Sequence, residues 1–159
     1  MRVSMKVNGT AVTDNVDPRE LLVDYLRDRL RLTGAKAGCE SGHCGTCVIR
    51  LDGRPAKSCL LLAFQADEGS VDTIEGVATA SGQLTRLQQA LYEQHGTQCG
   101  FCTPGVVMTL ADLLEREPQP DEQRIREWLS GSLCRCTGYN SIVRAVVQAT
   151  AVTEAGDHA

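Results

Sequence analysis

Eight cysteines carry the strongest chemical signal in this sequence, and they fall in three short runs plus one isolated position. The runs are CESGHCGTC (39–47), QCGFCTPG (98–105) and LCRCTGYN (133–140), and Cys59 stands alone. Thiolates are preferred ligands of zinc and of iron–sulfur clusters. Thiols crowded at such short spacing therefore predict metal binding, and the spacing indicates which metal.

The first set of thiols has the spacing C-x4-C-x2-C-x11-C and consists of Cys39, Cys44, Cys47 and Cys59. Its first three members match the plant-type [2Fe–2S] pattern, in which the fourth ligand is more distant. Structural zinc usually takes pairs of ligands a few residues apart, which fits this spacing poorly. Gly38, Gly42 and Gly45 supply a backbone that tolerates unusual dihedral angles around a cluster. An iron–sulfur centre is therefore favoured over zinc.

The second set consists of two cysteine pairs separated by 31 residues: Cys99 with Cys102, and Cys134 with Cys136. Taken alone, this spacing leaves a redox dithiol, a zinc site and an iron–sulfur centre open. Each pair, however, is followed by a predicted helix. Free N–H groups and the helix dipole at a helix N-terminus favour a negatively charged iron–thiolate group. The position of the pairs therefore indicates a second iron–sulfur centre.

A small β-sheet is predicted to position the first set. Alternating apolar residues at 3–7, followed by Asn8-Gly9, predict one arm of a hairpin with a tight turn. Residues 48–51 and 71–74 predict further strands, and Asp52-Gly53 predicts a turn after the first of them. The sheet needs a helix to cover one face.

That helix is predicted to begin at residues 17–20 (DPRE), which combine a capping acid, a proline in the first turn and a glutamate three residues after the cap. Gly34 is its predicted end. Leu22, Tyr25 and Leu26 share its apolar face.

The second half reads as four helices after a small polar linker, TASGQL (79–84). The first carries Leu84, Leu87 and Leu91 on one face. The others are predicted to start at Thr103, at Asp121 and near Asn140. The tail TEAGDHA (153–159) has no apolar face to pack, so we expect it to fray.

Charge and hydropathy exclude several classes of function. The net charge of −4 and the isoelectric point of about 5.4 argue against binding to nucleic acid or to an anionic membrane. No apolar run approaches the roughly 18 residues that span a bilayer, and the opening MRVSMKV lacks a secretory signal core. We therefore expect a cytoplasmic protein, in a compartment where cysteines bind metal rather than form disulfides.

Taken together, the motifs CESGHCGTC, KSC (57–59), QCGFCTPG and CRCTGYN resemble those of the small iron–sulfur subunits of the molybdenum hydroxylases, the superfamily of xanthine dehydrogenase and aerobic carbon monoxide dehydrogenase. The similarity runs from the first strand to about residue 150 and includes every cysteine. It implies an α+β fold: a β-grasp, ferredoxin-like [2Fe–2S] domain at residues 1–76, then an all-α four-helix-bundle domain at residues 77–159 with a second [2Fe–2S] cluster.

The resemblance also implies a function and partners. The chain would conduct electrons from a molybdopterin (as the cytosine dinucleotide) in a large subunit to FAD in a medium subunit, within a dimer of heterotrimers. In that family the second cluster lies next to the pterin, and Gln98 matches a glutamine that contacts it.

No dinucleotide-binding, P-loop or zinc-protease motif is present in the sequence, as expected for a chain without a catalytic site of its own. Two alternatives stay open from the residues alone: a free-standing two-cluster ferredoxin, and an interaction module stabilised by zinc.

Overall fold

The structure is a computed structural model that describes residues 1–78 and 82–151. It is a mixed α/β fold whose single sheet has five strands, as far as the described residues extend. The strands are β1 (Arg2–Val7), β2 (Thr10–Asn15), β3 (Val48–Leu51), β4 (Arg54–Lys57) and β5 (Ser70–Asp72). Their order is β2-β1-β5-β3-β4, and only β1 and β5 run parallel. The predicted strand at 71–74 thus starts one residue late and ends two residues late, because Ile74 begins a short 3₁₀ turn instead.

Both predicted turns close β-hairpins. Asn8 and Gly9 have φ angles of 48° and 78°, and Asp52 and Gly53 have 51° and 74°. Two consecutive left-handed residues make the type I′ turn, whose twist matches that of the paired strands. The turns fix the register of β1 with β2 and of β3 with β4, so alternate residues of β1 are buried.

The first helix differs from its prediction at both ends. Helix α1 (Leu22–Asp24) begins after the predicted start at residues 17–20, and it continues only as a π-helical turn (Tyr25–Arg29), ending before Gly34. The Asp17 carboxylate accepts a 2.8 Å hydrogen bond from the backbone N–H of Arg19. This bond two residues along the chain makes a turn that competes with the start of a helix.

The apolar face predicted for this helix is confirmed. Leu22, Tyr25 and Leu26 are fully buried. They belong to one hydrophobic cluster together with side chains of the sheet, among them Val3, Met5, Val7, Ile49 and Val71.

The four predicted C-terminal helices are present as α2 (Arg86–Glu93), α3 (Thr103–Arg116), α4 (Glu122–Leu129) and α5 (Asn140–Ala151). The Asp121 carboxylate caps α4 by accepting a 2.7 Å hydrogen bond from the N–H of Arg124. Thr85 caps α2, so Leu84 lies before that helix and is exposed, contrary to its predicted place on the buried face.

These helices form a second hydrophobic cluster. Helix α2 packs against α5 and α3, and α4 packs against α3 and α5. The fully buried members are Leu110, Leu113, Ile125, Ala145 and Val146.

A close backbone contact joins the helices to the first cysteine loop, and we call it the glycine seam (Gly45, Gly105 and Gly131). A Cβ atom on Gly105 in α3 would lie 2.1 Å from the carbonyl oxygen of Gly45. A Cβ atom on Gly45 would lie 2.4 Å from the carbonyl oxygen of Gly131. Side chains at Gly45 and Gly105 are therefore excluded by backbone atoms. Near the other end of α3, Glu115 forms a 2.7 Å ion pair with Arg50 of β3.

Residues 79–81 of the predicted linker, and the predicted tail with His158, lie outside the described residues. Within residues 1–78 and 82–151, no helix is long and apolar enough to cross a membrane.

The glycine seam predicts a specific sensitivity to an added methyl group. We expect Gly105→Ala to lower the free energy of unfolding by about 1–3 kcal/mol, because the opposing atom is a backbone carbonyl that cannot rotate away. Gly131→Ala is the matched control, since its added Cβ meets only the Lys57 Nζ, at 3.8 Å. Thermal and urea unfolding of the two variants, followed by circular dichroism, measures the difference. Equal stability of the two variants would contradict the seam.

Candidate metal centres

The first set of thiols is assembled by the β3–β4 hairpin. Cys47 directly precedes β3, and Cys59 lies in a short 3₁₀ turn directly after β4. The hairpin pairs Val48 with Lys57, so residues just outside its open end are neighbours. The Cys47 and Cys59 sulfurs are consequently 3.3 Å apart and buried.

Cys39 and Cys44 lie in the loop that precedes Cys47, on the outer side of the first set. The backbone N–H of Cys44 donates a 3.3 Å hydrogen bond to the Cys39 sulfur. Cys39 is exposed and Cys44 is partly exposed. The first set therefore consists of an inner pair and an outer pair.

The curl of this loop needs left-handed residues, as the glycines predict. Gly42 and Gly45 have φ angles of 77° and 74°. Gly38 does not have a positive φ and serves for space instead, because a Cβ atom there would lie 2.7 Å from Thr46 Oγ1. Glu40, with a φ of 53°, is a third left-handed residue that the sequence did not indicate.

The second set is assembled at the start of two helices. Cys102 directly precedes α3, and Cys136 lies four residues before α5, which confirms that both pairs precede a helix. The side chains of Cys99 and Cys136 interact with each other, and so do those of Cys102 and Cys134. Each thiol of one sequence pair thus meets a thiol of the other. Cys99 and Cys136 are exposed, while Cys102 and Cys134 are partly buried.

Local contacts shift the pKa values of several of these thiols in opposite directions. Burial raises the pKa of Cys47 to about 11 and that of Cys102 to about 12. A hydrogen bond with the Ser41 side chain lowers the pKa of Cys39 to about 5. A hydrogen bond with the Phe101 backbone lowers the pKa of Cys99. At neutral pH the Cys39 thiol would therefore be ionised in the absence of a metal, whereas the thiols of Cys47 and Cys102 would be protonated.

The sulfurs meet in pairs rather than around a single point. Across residues 1–78 and 82–151, no three or more His, Cys, Asp or Glu side chains converge as a site for one metal ion. A structural zinc ion needs four ligands at about 2.0–2.3 Å from one point. Two separate thiol pairs are the donor set that a two-iron cluster requires, with four thiolates in all. The residues of both sets therefore fit a [2Fe–2S] group.

The two sets lie against each other. The backbone N–H of Leu133 donates a 2.9 Å hydrogen bond to the carbonyl oxygen of Cys44. A member of the first set is thus joined directly to the residue that precedes Cys134 of the second. Phe101 of the second set approaches Gly38 of the first. The Lys36 ammonium lies 5.6 Å from the centre of the Phe101 ring, a favourable cation–π geometry.

Gln98 is exposed and directly precedes Cys99, and its contact with a pterin stays a prediction. Two further residues were not singled out from the sequence. Thr46 Oγ1 lies 3.2 Å from the Cys44 sulfur, and Thr137 Oγ1 lies 3.1 Å from the Cys134 sulfur. The available signal was that each threonine stands two or three residues after a ligand, but hydroxyl contacts depend on the loop conformation.

Two family models match the chain. One describes a 2Fe-2S iron-sulfur cluster binding domain and matches residues 5–74. The other describes a [2Fe-2S] binding domain and matches residues 73–147.

Similar proteins include two enzyme subunits. The chain is 52% identical over 155 residues to caffeine dehydrogenase subunit gamma of Pseudomonas sp. (strain CBB1), covering 96% of this chain and 92% of that one. It is 48% identical over 149 residues to the nicotine 6-hydroxylase small subunit of Paenarthrobacter nicotinovorans, covering 94% and 89%. Among solved structures, a chain of quinoline 2-oxidoreductase from Pseudomonas putida 86 superposes with a TM-score of 0.92 at 42% identity, covering 98% and 97%.

The paired thiols predict the metal content. We expect about four iron atoms and about four acid-labile sulfides per fully loaded chain, since each [2Fe–2S] cluster takes four thiolates. Iron and sulfide analysis, with visible absorption that bleaches on dithionite, measures this. A fully loaded, colourless protein that contains zinc would overturn the assignment.

Proposed function

Because the chain belongs to the family of small iron–sulfur subunits of the molybdenum hydroxylases, we propose that it is the electron-transfer subunit of such an enzyme. As a subunit of an oxidoreductase it carries no catalytic site of its own. Electrons would leave a molybdopterin centre in a large subunit, cross two [2Fe–2S] clusters in this chain, and reach FAD in a medium subunit.

The observation that carries this proposal is the joining of two complete thiol sets by one backbone hydrogen bond, from Leu133 to Cys44. Cys39, Cys44, Cys47 and Cys59 would hold the first cluster. Cys99, Cys102, Cys134 and Cys136 would hold the second. When bound, each cluster supplies one-electron chemistry. The chain's own residues hold the eight thiolates, bury the inner sulfurs and fix the spacing between the two sets.

The surfaces around the two sets support a direction of electron transfer, from the second set to the first. Beside the second set, Phe101 and Leu133 are large apolar residues with 50% and 57% exposure. Large exposed apolar side chains grouped together mark surfaces that a partner covers. We place the large subunit here, with Gln98 toward the pterin. The outer side of the first loop carries the polar residues Glu40 and Ser41, and we place the medium subunit there.

The substrate class we propose for the whole enzyme is an aromatic N-heterocycle. The support comes from the compounds after which three similar proteins are named, since caffeine, nicotine and quinoline are all nitrogen heterocycles. Selection among them belongs to the large subunit, which binds the substrate.

The finer architecture is also a proposal. We divide the chain into a β-grasp domain at residues 1–76 and a four-helix-bundle domain at residues 77–159. The separate hydrophobic clusters and the division of the family models near residue 74 support this. We further propose the cytosine dinucleotide form of the pterin, a dimer of heterotrimers, and a cytoplasmic location, where eight metal-binding cysteines stay reduced.

The proposal predicts the composition of the native complex. A tagged chain expressed in its own host should copurify with a molybdenum-containing large chain and a flavin-containing chain. That complex should reduce an electron-accepting dye when an N-heterocycle is added, and the isolated chain should reduce none. Iron-loaded chain that copurifies with neither partner would indicate a free-standing ferredoxin. Substrate-dependent dye reduction by the molybdenum-free chain would contradict the proposal directly.

The proposed direction of electron transfer predicts different kinetic defects for substitutions beside the second set and beside the first. We expect Gln98→Ala to slow reduction of the clusters by substrate about tenfold, a barrier change of about 1.4 kcal/mol. Glu40→Gln should leave that step unchanged and slow reduction of FAD. Rapid-mixing spectroscopy of the assembled enzyme separates the two steps. The reverse pattern would reverse the order of the centres.

A further inference from the structure

A threonine hydroxyl is held by hydrogen bonds next to a sulfur of the second set. Thr137 Oγ1 donates a 3.1 Å hydrogen bond to the Cys134 sulfur. The same oxygen accepts a 3.1 Å hydrogen bond from the backbone N–H of Tyr139. Gly138 and Tyr139 both have left-handed backbones, with φ angles of 61° and 68°, and this tight turn aims the Tyr139 N–H back at the hydroxyl.

The loop also closes from the other side. The backbone N–H of Cys134 donates a 2.9 Å hydrogen bond to the Tyr139 hydroxyl. Because the Thr137 oxygen already accepts from Tyr139, its one proton is free for the sulfur. The donor is therefore set by the turn and does not depend on a partner subunit.

The first set has a threonine in a similar place, but its proton points elsewhere. Thr46 Oγ1 lies 3.2 Å from the Cys44 sulfur, yet it donates a 2.8 Å hydrogen bond to the carbonyl oxygen of Lys36. A hydroxyl has a single proton. Once Cys44 is a thiolate with no proton of its own, Thr46 presents oxygen lone pairs to that sulfur.

This contrast has an electrostatic consequence. The sulfur ligands become more negative when a cluster takes up an electron, and a hydrogen-bond donor stabilises the more negative form.

We propose that Thr137 is a positioning residue that raises the reduction potential of the second centre through its hydrogen bond to Cys134, and that Thr46 gives the first centre no such assistance. This inference rests on the proposed function, since it requires a cluster on each set. The hydrogen bond is supplied by the chain itself, without a partner subunit.

The test compares three variants of the full chain in the assembled complex: Thr137→Val, Thr137→Ser and Thr46→Val. Valine keeps the shape of threonine and removes the hydroxyl, while serine keeps the hydroxyl. A redox titration followed by electron paramagnetic resonance distinguishes the two centres. For Thr137→Val we expect the reduced-to-oxidised ratio of the second centre, at fixed ambient potential, to fall about tenfold, which is 59 mV for a one-electron couple.

Thr137→Ser should restore the ratio to that of the native chain, and Thr46→Val should not lower the potential of the first centre. An unchanged or raised potential of the second centre in Thr137→Val would overturn the inference. Iron and sulfide are counted in every sample. Native chain without two iron centres would refute the proposed function instead, so the two failures are distinguishable.

A second measurement covers the case in which Thr137→Val does not load iron. In native complex exchanged into heavy water, the vibrational bands of the iron–sulfur bonds of the second centre should shift. No shift for the second centre would show that no exchangeable donor reaches its sulfurs, and the inference would fail without any variant.

Discussion

The structure depends on how closely two stretches of backbone approach at the glycine seam. The first cysteine loop lies directly on α3 because neither Gly45 nor Gly105 has a side chain to hold the backbones apart. At that separation the Cys44 carbonyl reaches the N–H of Leu133. The sheet half and the helical half thereby place their metal-binding loops side by side. Helix α3 also packs against β3, and the missing Cβ atoms allow the close approach at the seam.

Local signals in the sequence were sufficient to predict many of the turns and helix ends. The Asn8-Gly9 and Asp52-Gly53 turns, the cap at Asp121 and the helix after Cys102 are each decided by a few neighbouring residues. The start of the first helix was wrong because Asp17 had two local options, a helix cap and a turn, and the structure takes the turn. The glycine seam could not be predicted, since it joins residues 60 positions apart in the sequence.

In the candidate metal centres, too, some features are decided by neighbouring residues and others only by the fold. Cysteine spacing indicated which thiols belong together, because ligand spacing along a loop is a local property. The way the second set pairs across the loops, Cys99 with Cys136 and Cys102 with Cys134, follows from the placement of α3 and α5. The direction of the Thr46 and Thr137 hydroxyls depends on single hydrogen bonds to Lys36 and Tyr139. Such details require the folded loop.

The outer sulfurs of both sets lie at the surface, with Cys39, Cys99 and Cys136 exposed. Exposed sulfur of thiolate character is the first point of attack for oxidants, and the later products of that oxidation are irreversible. A chain made in excess of its partners would therefore be the form most readily damaged in air. Balanced synthesis of all the subunits would then protect the metal centres as well as economise on protein.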